Sequence, residues 1–189
     1  MYSAMIQLIR YNTSEELPPQ IVHEIRSLAY SQWPGSNENQ GSGILIDPDL
    51  HPVYFVLRDG DHVLGSARTI WTWAAHLGRT LKVYGLGDVI TAPQWRRKGY
   101  GRRLVAAATA HIRSDPEADI AVLLTEPRLE ALYSRSGWVH IAGMRIVTSE
   151  DDGAQAAGVV PMMLFLSAGA RGARDDFLQQ PLVLPGDEW

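Results

Sequence analysis

The stretch 83–113, VYGLGDVITAPQWRRKGYGRRLVAAATAHIR, constrains this chain more than any other. It reads as a strand, a tight basic turn and a helix. Residues 83–91 are rich in β-branched side chains, Ala92-Pro93 ends the run, and from Leu104 onward alanines and an apolar stripe favour a helix. Between them lies Arg96-Arg97-Lys98-Gly99-Tyr100-Gly101-Arg102-Arg103. Glycines at alternate positions let the backbone turn without a Cβ in the way, so that consecutive N–H groups point inward at the start of a helix. The helix start adds a favourable dipole and the four arginines and one lysine add full charges, so a diphosphate is the guest that suits this turn. Neither a Walker lysine followed by Ser/Thr nor a G-x-G-x-x-G run is present to make it a nucleotide loop.

The chain has 189 residues, enough for one domain with a sizeable core and a tail. A net charge of −4 argues against general nucleic-acid affinity while allowing a local basic patch to hold an anion. There is no cysteine, which excludes disulfides, a thiolate nucleophile and cysteine-ligated metal; no metal is expected in the chemistry. Without a signal-like start or an apolar run of about 18 residues, the chain reads as cytoplasmic, with no membrane partner.

In chain order, residues 5–11 predict a strand, and Thr13-Ser14-Glu15-Glu16 with Pro18-Pro19 predicts a helix start, followed by Ile21, Ile25, Leu28 and Ala29 on one face. Residues 31–50 form a long loop with one short helical turn, where Trp33, Asp47 and Asp49 are the candidates for acceptor contact. Residues 52–58 and 62–73 are strands joined at Asp59-Gly60-Asp61, and Gly65 marks a bulge or a close backbone approach. Residues 74–80 return the chain to the central strand; His76 there is a solvated histidine or, less readily, a base. Residues 120–125 read as a buried strand, 127–136 as a short helix and 138–146 and 159–165 as strands. This gives a domain over 1–166 and a tail over 167–189 on or near the acceptor site, flexible at 169–174 and apolar enough at Leu182-Val183-Leu184 to add an edge strand.

Arg96-x-x-Gly99-x-Gly101 after a strand, with Pro93 three residues before the arginine and Ala131-Leu132-Tyr133-x-x-x-Gly137-Trp138 downstream, resembles the coenzyme A loop of the GNAT superfamily of acyl-CoA N-acyltransferases. The resemblance implies an α/β (α+β) fold with a mixed, mostly antiparallel central sheet flanked by helices and splayed at the coenzyme site. It also implies direct acetyl transfer from acetyl-CoA to a primary amine. Arg96, Arg97, Lys98, Gly99, Tyr100, Gly101 and Arg102 would hold the pyrophosphate, and Val89, Ile90 and Thr91 would face the pantetheine arm and thioester. Tyr133 would be the general acid toward the thiolate, or else a packing aromatic. For the base, many relatives carry a glutamate where this chain has Gly87; Asp88 is one position late and faces away unless a bulge or register shift intervenes, the alternative to it being a base acting through ordered water, or none with the amine arriving neutral, and Glu126 is the second candidate.

Within that superfamily the chain is most similar to the aminoglycoside 2′-N-acetyltransferases, through Trp95-Arg96, residues 132–138, Glu150-Asp151-Asp152-Gly153 and the terminal Gly186-Asp187-Glu188-Trp189. This implies a small cationic acceptor met by Trp33, Asp151, Asp152, Asp187, Glu188 and Trp189, with a homodimer as one possible assembly. A polyamine, an amino acid or a protein N-terminus is the alternative acceptor, and a catalytically weak acyl-CoA sensor the alternative function.

Overall fold

A computed structural model describes residues 6–33, 46–148, 158–185 and 189. The chain forms two compact units, Met1–Ile70 with Asp88–Ala108, and Trp71–Gly87 with Thr109–Trp189. In order, the elements are β1 (Gln7–Tyr11), α1 (Pro19–Gln32), β2 (Val53–Asp59), β3 (His62–His76), β4 (Arg79–Thr91), α2 (Tyr100–Ser114), β5 (Ile120–Thr125), α3 (Glu130–Ser134), β6 (Val139–His140), β7 (Ile146–Thr148), β8 (Val160–Phe165), α4 (Ala168–Gly172), α5 (Asp176–Gln179) and β9 (Leu182–Leu184).

In the first unit β1, β2 and β3 pair antiparallel in sequence order. Tyr54 and Val56 of β2 pack with Leu17, Ile21 and Ile25, which puts the apolar face of α1 on one side of these strands. The helix begins one turn later than the acidic cap signal predicts. Pro19 is its first residue, and the residue before a proline is pushed to extended backbone, as Pro18 is (φ −58°, ψ 139°). Thr13–Glu16 closes a turn of its own instead, with the Glu16 carboxylate accepting from the Asn12 N–H at 2.7 Å. The β2–β3 register slips after Leu57, which faces Gly65 while Arg58 faces Val63, so Leu64 is the extra residue of a bulge.

In the second unit β3 runs on through His76 and β4 starts at Arg79, so residues 74–80 are strand and turn and no separate connecting segment exists. Leu77 (φ 46°) and Gly78 (φ 74°) form a two-residue hairpin with both φ positive, the geometry that matches the twist of long paired strands. The order β4-β5-β8-β6 is antiparallel except at β4–β5, which pairs in parallel from Val83↔Ile120 to Gly85↔Val122. That ladder ends there although β4 continues to Thr91 and β5 to Thr125. The tail is more ordered than its Gly/Ala composition predicts: β9 pairs parallel with β7, and Ala170, Phe177, Leu182 and Leu184 are buried in this unit's core. Among the described residues no helix is long and apolar enough to cross a membrane.

Candidate active site

In the first unit the chain leaves β4 through a tight approach to β3. The Ala92 N–H donates to the Leu64 carbonyl at 2.9 Å, and a Cβ on Gly65 would lie 2.4 Å from the Ile90 carbonyl oxygen. Gly65 is therefore a point of backbone contact beside the bulge. A 3-10 turn, Pro93–Trp95, follows. Arg97 (φ 60°) and Gly99 (φ 84°) then adopt left-handed backbone, and α2 begins at Tyr100. Alternating left-handed residues aim successive amides to one side, and the first turn of a helix leaves its leading N–H groups without partners inside the helix. The first intrahelical bond in the loop runs from the Arg103 N–H to the Gly99 carbonyl at 3.1 Å. The amides of Tyr100, Gly101 and Arg102 thus form, with the helix dipole, a seat for an anion.

The basic side chains divide their labour. Arg96 donates from Nε to the Thr91 carbonyl at 3.2 Å and from Nη2 to the Gln32 side chain, tying the turn to the end of β4 and the end of α1. Lys98 lies over the Trp95 indole at 4.3 Å, and Tyr100 leans on the same ring. Arg97 and Arg102 are exposed, leaving their charge available to a bound anion. Of the strand candidates, Ile90 is buried while Val89 and Thr91 are half-buried. These residues fit a diphosphate. Gly99→Asp is expected to keep the loop, because aspartate tolerates positive φ, yet to lower affinity for coenzyme A by about tenfold or more through like charge. Gly99→Asn should lower it far less, and calorimetric titration reads both.

Asp88 sits in β4 with φ 51°, so the alternation of the strand breaks at this residue. Its carboxylate meets Arg68 of β3, Nε to Oδ2 at 2.9 Å, with the arginine side chain 7% and the aspartate side chain 29% exposed. Arg68 stands opposite Tyr54 of β2 in the register, and the Tyr54 hydroxyl shares a 2.9 Å hydrogen bond with Ser14. Burial raises the Asp88 carboxyl above the ordinary carboxylate value, and Arg68 pulls it partly back. Arg68 and Tyr54 were not among the candidates from sequence. The available signal was a lone arginine in a strand otherwise built of apolar and small residues.

In the second unit Tyr133 of α3 is buried, its phenol bonded to the Thr125 side chain at the end of β5; burial raises its pKa. Glu126 is open to solvent and gripped by Arg128, at 2.6 Å from Nε and 2.9 Å from Nη2, which holds its carboxyl below the usual range. A lowered pKa makes it the weaker of the two carboxylate bases. His76, far from being a solvated loop residue, is buried at the end of β3. Its ring stacks on Phe177 at 4.6 Å and its Nε2–H donates to the Gln180 carbonyl at 3.1 Å, a packing role against the C-terminal segment.

Among the acceptor candidates, Trp33 follows the end of α1, its side chain 40% exposed, and its N–H donates to the Ala29 carbonyl. The Asp47 side chain accepts from the Asp49 N–H at 3.0 Å, so these two close a turn. Trp189 is part-buried against the second unit's core, and its indole donates to the Pro185 carbonyl at 2.7 Å. Asp151, Asp152, Asp187 and Glu188 lie outside the described residues.

The family model for the acetyltransferase (GNAT) family matches residues 20–138, which takes in the anion turn, Asp88 and Tyr133. The chain belongs to this acetyltransferase (GNAT) family. It is accordingly an acetyl-CoA-dependent acetyltransferase, and the matched stretch includes the anion seat at the start of α2. The GNAT family N-acetyltransferase YhbS from Escherichia coli, solved in complex with CoA, is similar in fold: TM-score 0.63, 15% identity, 98% of this chain and 92% of that one covered. Escherichia coli ElaA and an acyl-CoA N-acyltransferase from Pseudomonas aeruginosa each give a TM-score of 0.62 at 13% identity, over 84% of this chain and 99% of theirs. Curated protein sequences yield no match.

Proposed function

We propose that this GNAT enzyme transfers the acetyl group directly to a primary amine of a small cationic acceptor, with Asp88 as the base. The observation that carries the reading is Asp88 itself: a part-buried carboxylate at a left-handed residue of β4, with its pKa raised and one oxygen held by Arg68. Bound acetyl-CoA supplies the thioester and the leaving thiolate. Asp88 accepts a proton from the acceptor ammonium, which frees the nitrogen lone pair. Tyr133, its phenol kept protonated by burial, supplies the proton for the sulfur; this role rests on the family motif.

The resemblance to the aminoglycoside 2′-N-acetyltransferases extends the proposal to a polycationic acceptor, supported by the acids of 150–152 and 187–188 in the sequence. Thiol release from acetyl-CoA with kanamycin, spermidine and free lysine as probes tests it. Turnover on the polycations above lysine is expected, and coenzyme binding without turnover on any amine would favour the sensor alternative. Tyr133→Phe is expected to lower kcat by about 10²-fold while leaving coenzyme affinity within about twofold. An unchanged kcat would return Tyr133 to packing alone.

A further inference from the structure

A carboxylate that must collect a proton in a part-buried site faces two opposite failures. Burial alone leaves it a neutral acid with nothing to accept a proton, whereas a strong cation alone leaves it too weak a base. Asp88 experiences both influences, and the cation comes from a neighbouring strand. Arg68 is buried on β3, and a guanidinium stays charged there because it cannot give up its proton. Placing such a charge inside a sheet is costly, and truncating either member of such a pair more so.

The backbone also points to this contact. The left-handed φ of Asp88 is tolerated by aspartate but persists inside a strand only where surrounding contacts over-determine it. The 2.9 Å ion pair with Arg68 Nε is such a contact. We infer that Arg68 is a positioning residue for Asp88, fixing both the direction of the carboxylate and its charge state from β3. This rests on the reading of Asp88 as base. The groups that face Asp88 are Arg68 from β3 and Tyr54 from β2, the latter bonded to the Ser14 hydroxyl ahead of α1. Tyr54 stands directly across from Arg68 in the strand register.

The test is a carboxyl-carbon NMR titration of Asp88 in the full-length protein, the resonance being assigned by its loss in Asp88→Asn. At the pH where wild-type Asp88 is half ionised, Arg68→Gln is expected to lower the ratio of ionised to neutral carboxyl by about tenfold, the least that loss of an adjacent opposite charge produces. Arg68→Lys keeps the charge without the planar fork and is expected to move the curve the same way by a smaller factor. A curve superposable on wild type in Arg68→Gln overturns the inference; if that variant does not fold, a superposable curve in Arg68→Lys does so. The underlying reading fails separately. Acetyl transfer retained by Asp88→Asn would remove Asp88 as base and leave the ion-pair result standing.

Discussion

Gly65→Ala is expected to unfold the first unit at a lower temperature and to weaken coenzyme binding together with it. The added methyl carbon would stand 2.4 Å from the Ile90 carbonyl oxygen, 3.3 Å from Thr91 Cα and 3.2 Å from a Leu104 methyl. Two of these neighbours are backbone, so no rotamer change relieves the overlap and the end of β4 must move. Overpacking of this kind costs about 1–3 kcal/mol. In a chain of this size each kcal/mol lowers the melting midpoint by about 2–4 °C. Because Arg96 holds its loop by bonding the Thr91 carbonyl, a displaced β4 end also displaces the anion seat. Thermal melting and calorimetric titration with coenzyme A check the two effects. A wild-type midpoint in Gly65→Ala would show that β4 yields here without cost.

Asp88→Asn is expected to lower kcat by about 10²–10⁴-fold, the usual contribution of a general base, with little change in coenzyme affinity. Asparagine keeps an oxygen for Arg68 but cannot accept the proton. The pH dependence sharpens the expectation. A base works deprotonated, and since burial raises the Asp88 pKa, wild-type kcat/KM should fall as pH drops through a value above the ordinary carboxylate range. The same shift acts on stability with the opposite sense. The native state binds this proton more firmly than the unfolded chain, so the contribution of Asp88 to stability declines as pH rises through that window. Both dependences should vanish in Asp88→Asn; a persisting acid limb would assign it to another group.

How these residues were legible differs from one to the next. Gly99 announced a left-handed turn because only local backbone sterics are involved, and Gly65 announced a bulge or a close approach and proved to mark both. His76 misled, since a histidine beside a turn gives no hint that an aromatic ring more than ninety residues later will stack on it. The 169–174 segment looked flexible because its small residues lack an apolar stripe, yet Ala170 and Phe177 are buried against the second unit's core. On paper Asp88 stood first and Glu126 second, both as carboxylates near strand ends. Solvent exposure and Arg128 depress the one; burial raises the other.

By itself the sequence determined the anatomy of 83–113: it encodes strand, turn and helix through short-range rules of branching, glycine freedom and proline, and those rules need no partner from elsewhere in the chain. The apolar stripe of α1 likewise sets which of its faces is buried. Only the tertiary structure distinguishes the surroundings of the two candidate bases. The setting of Asp88 depends on its own left-handed backbone in β4 and on an arginine twenty positions earlier, held opposite Tyr54 by strand register. Charge state follows from burial and from the nearest opposite charge, and both are properties of neighbours in space that no local pattern of residues records.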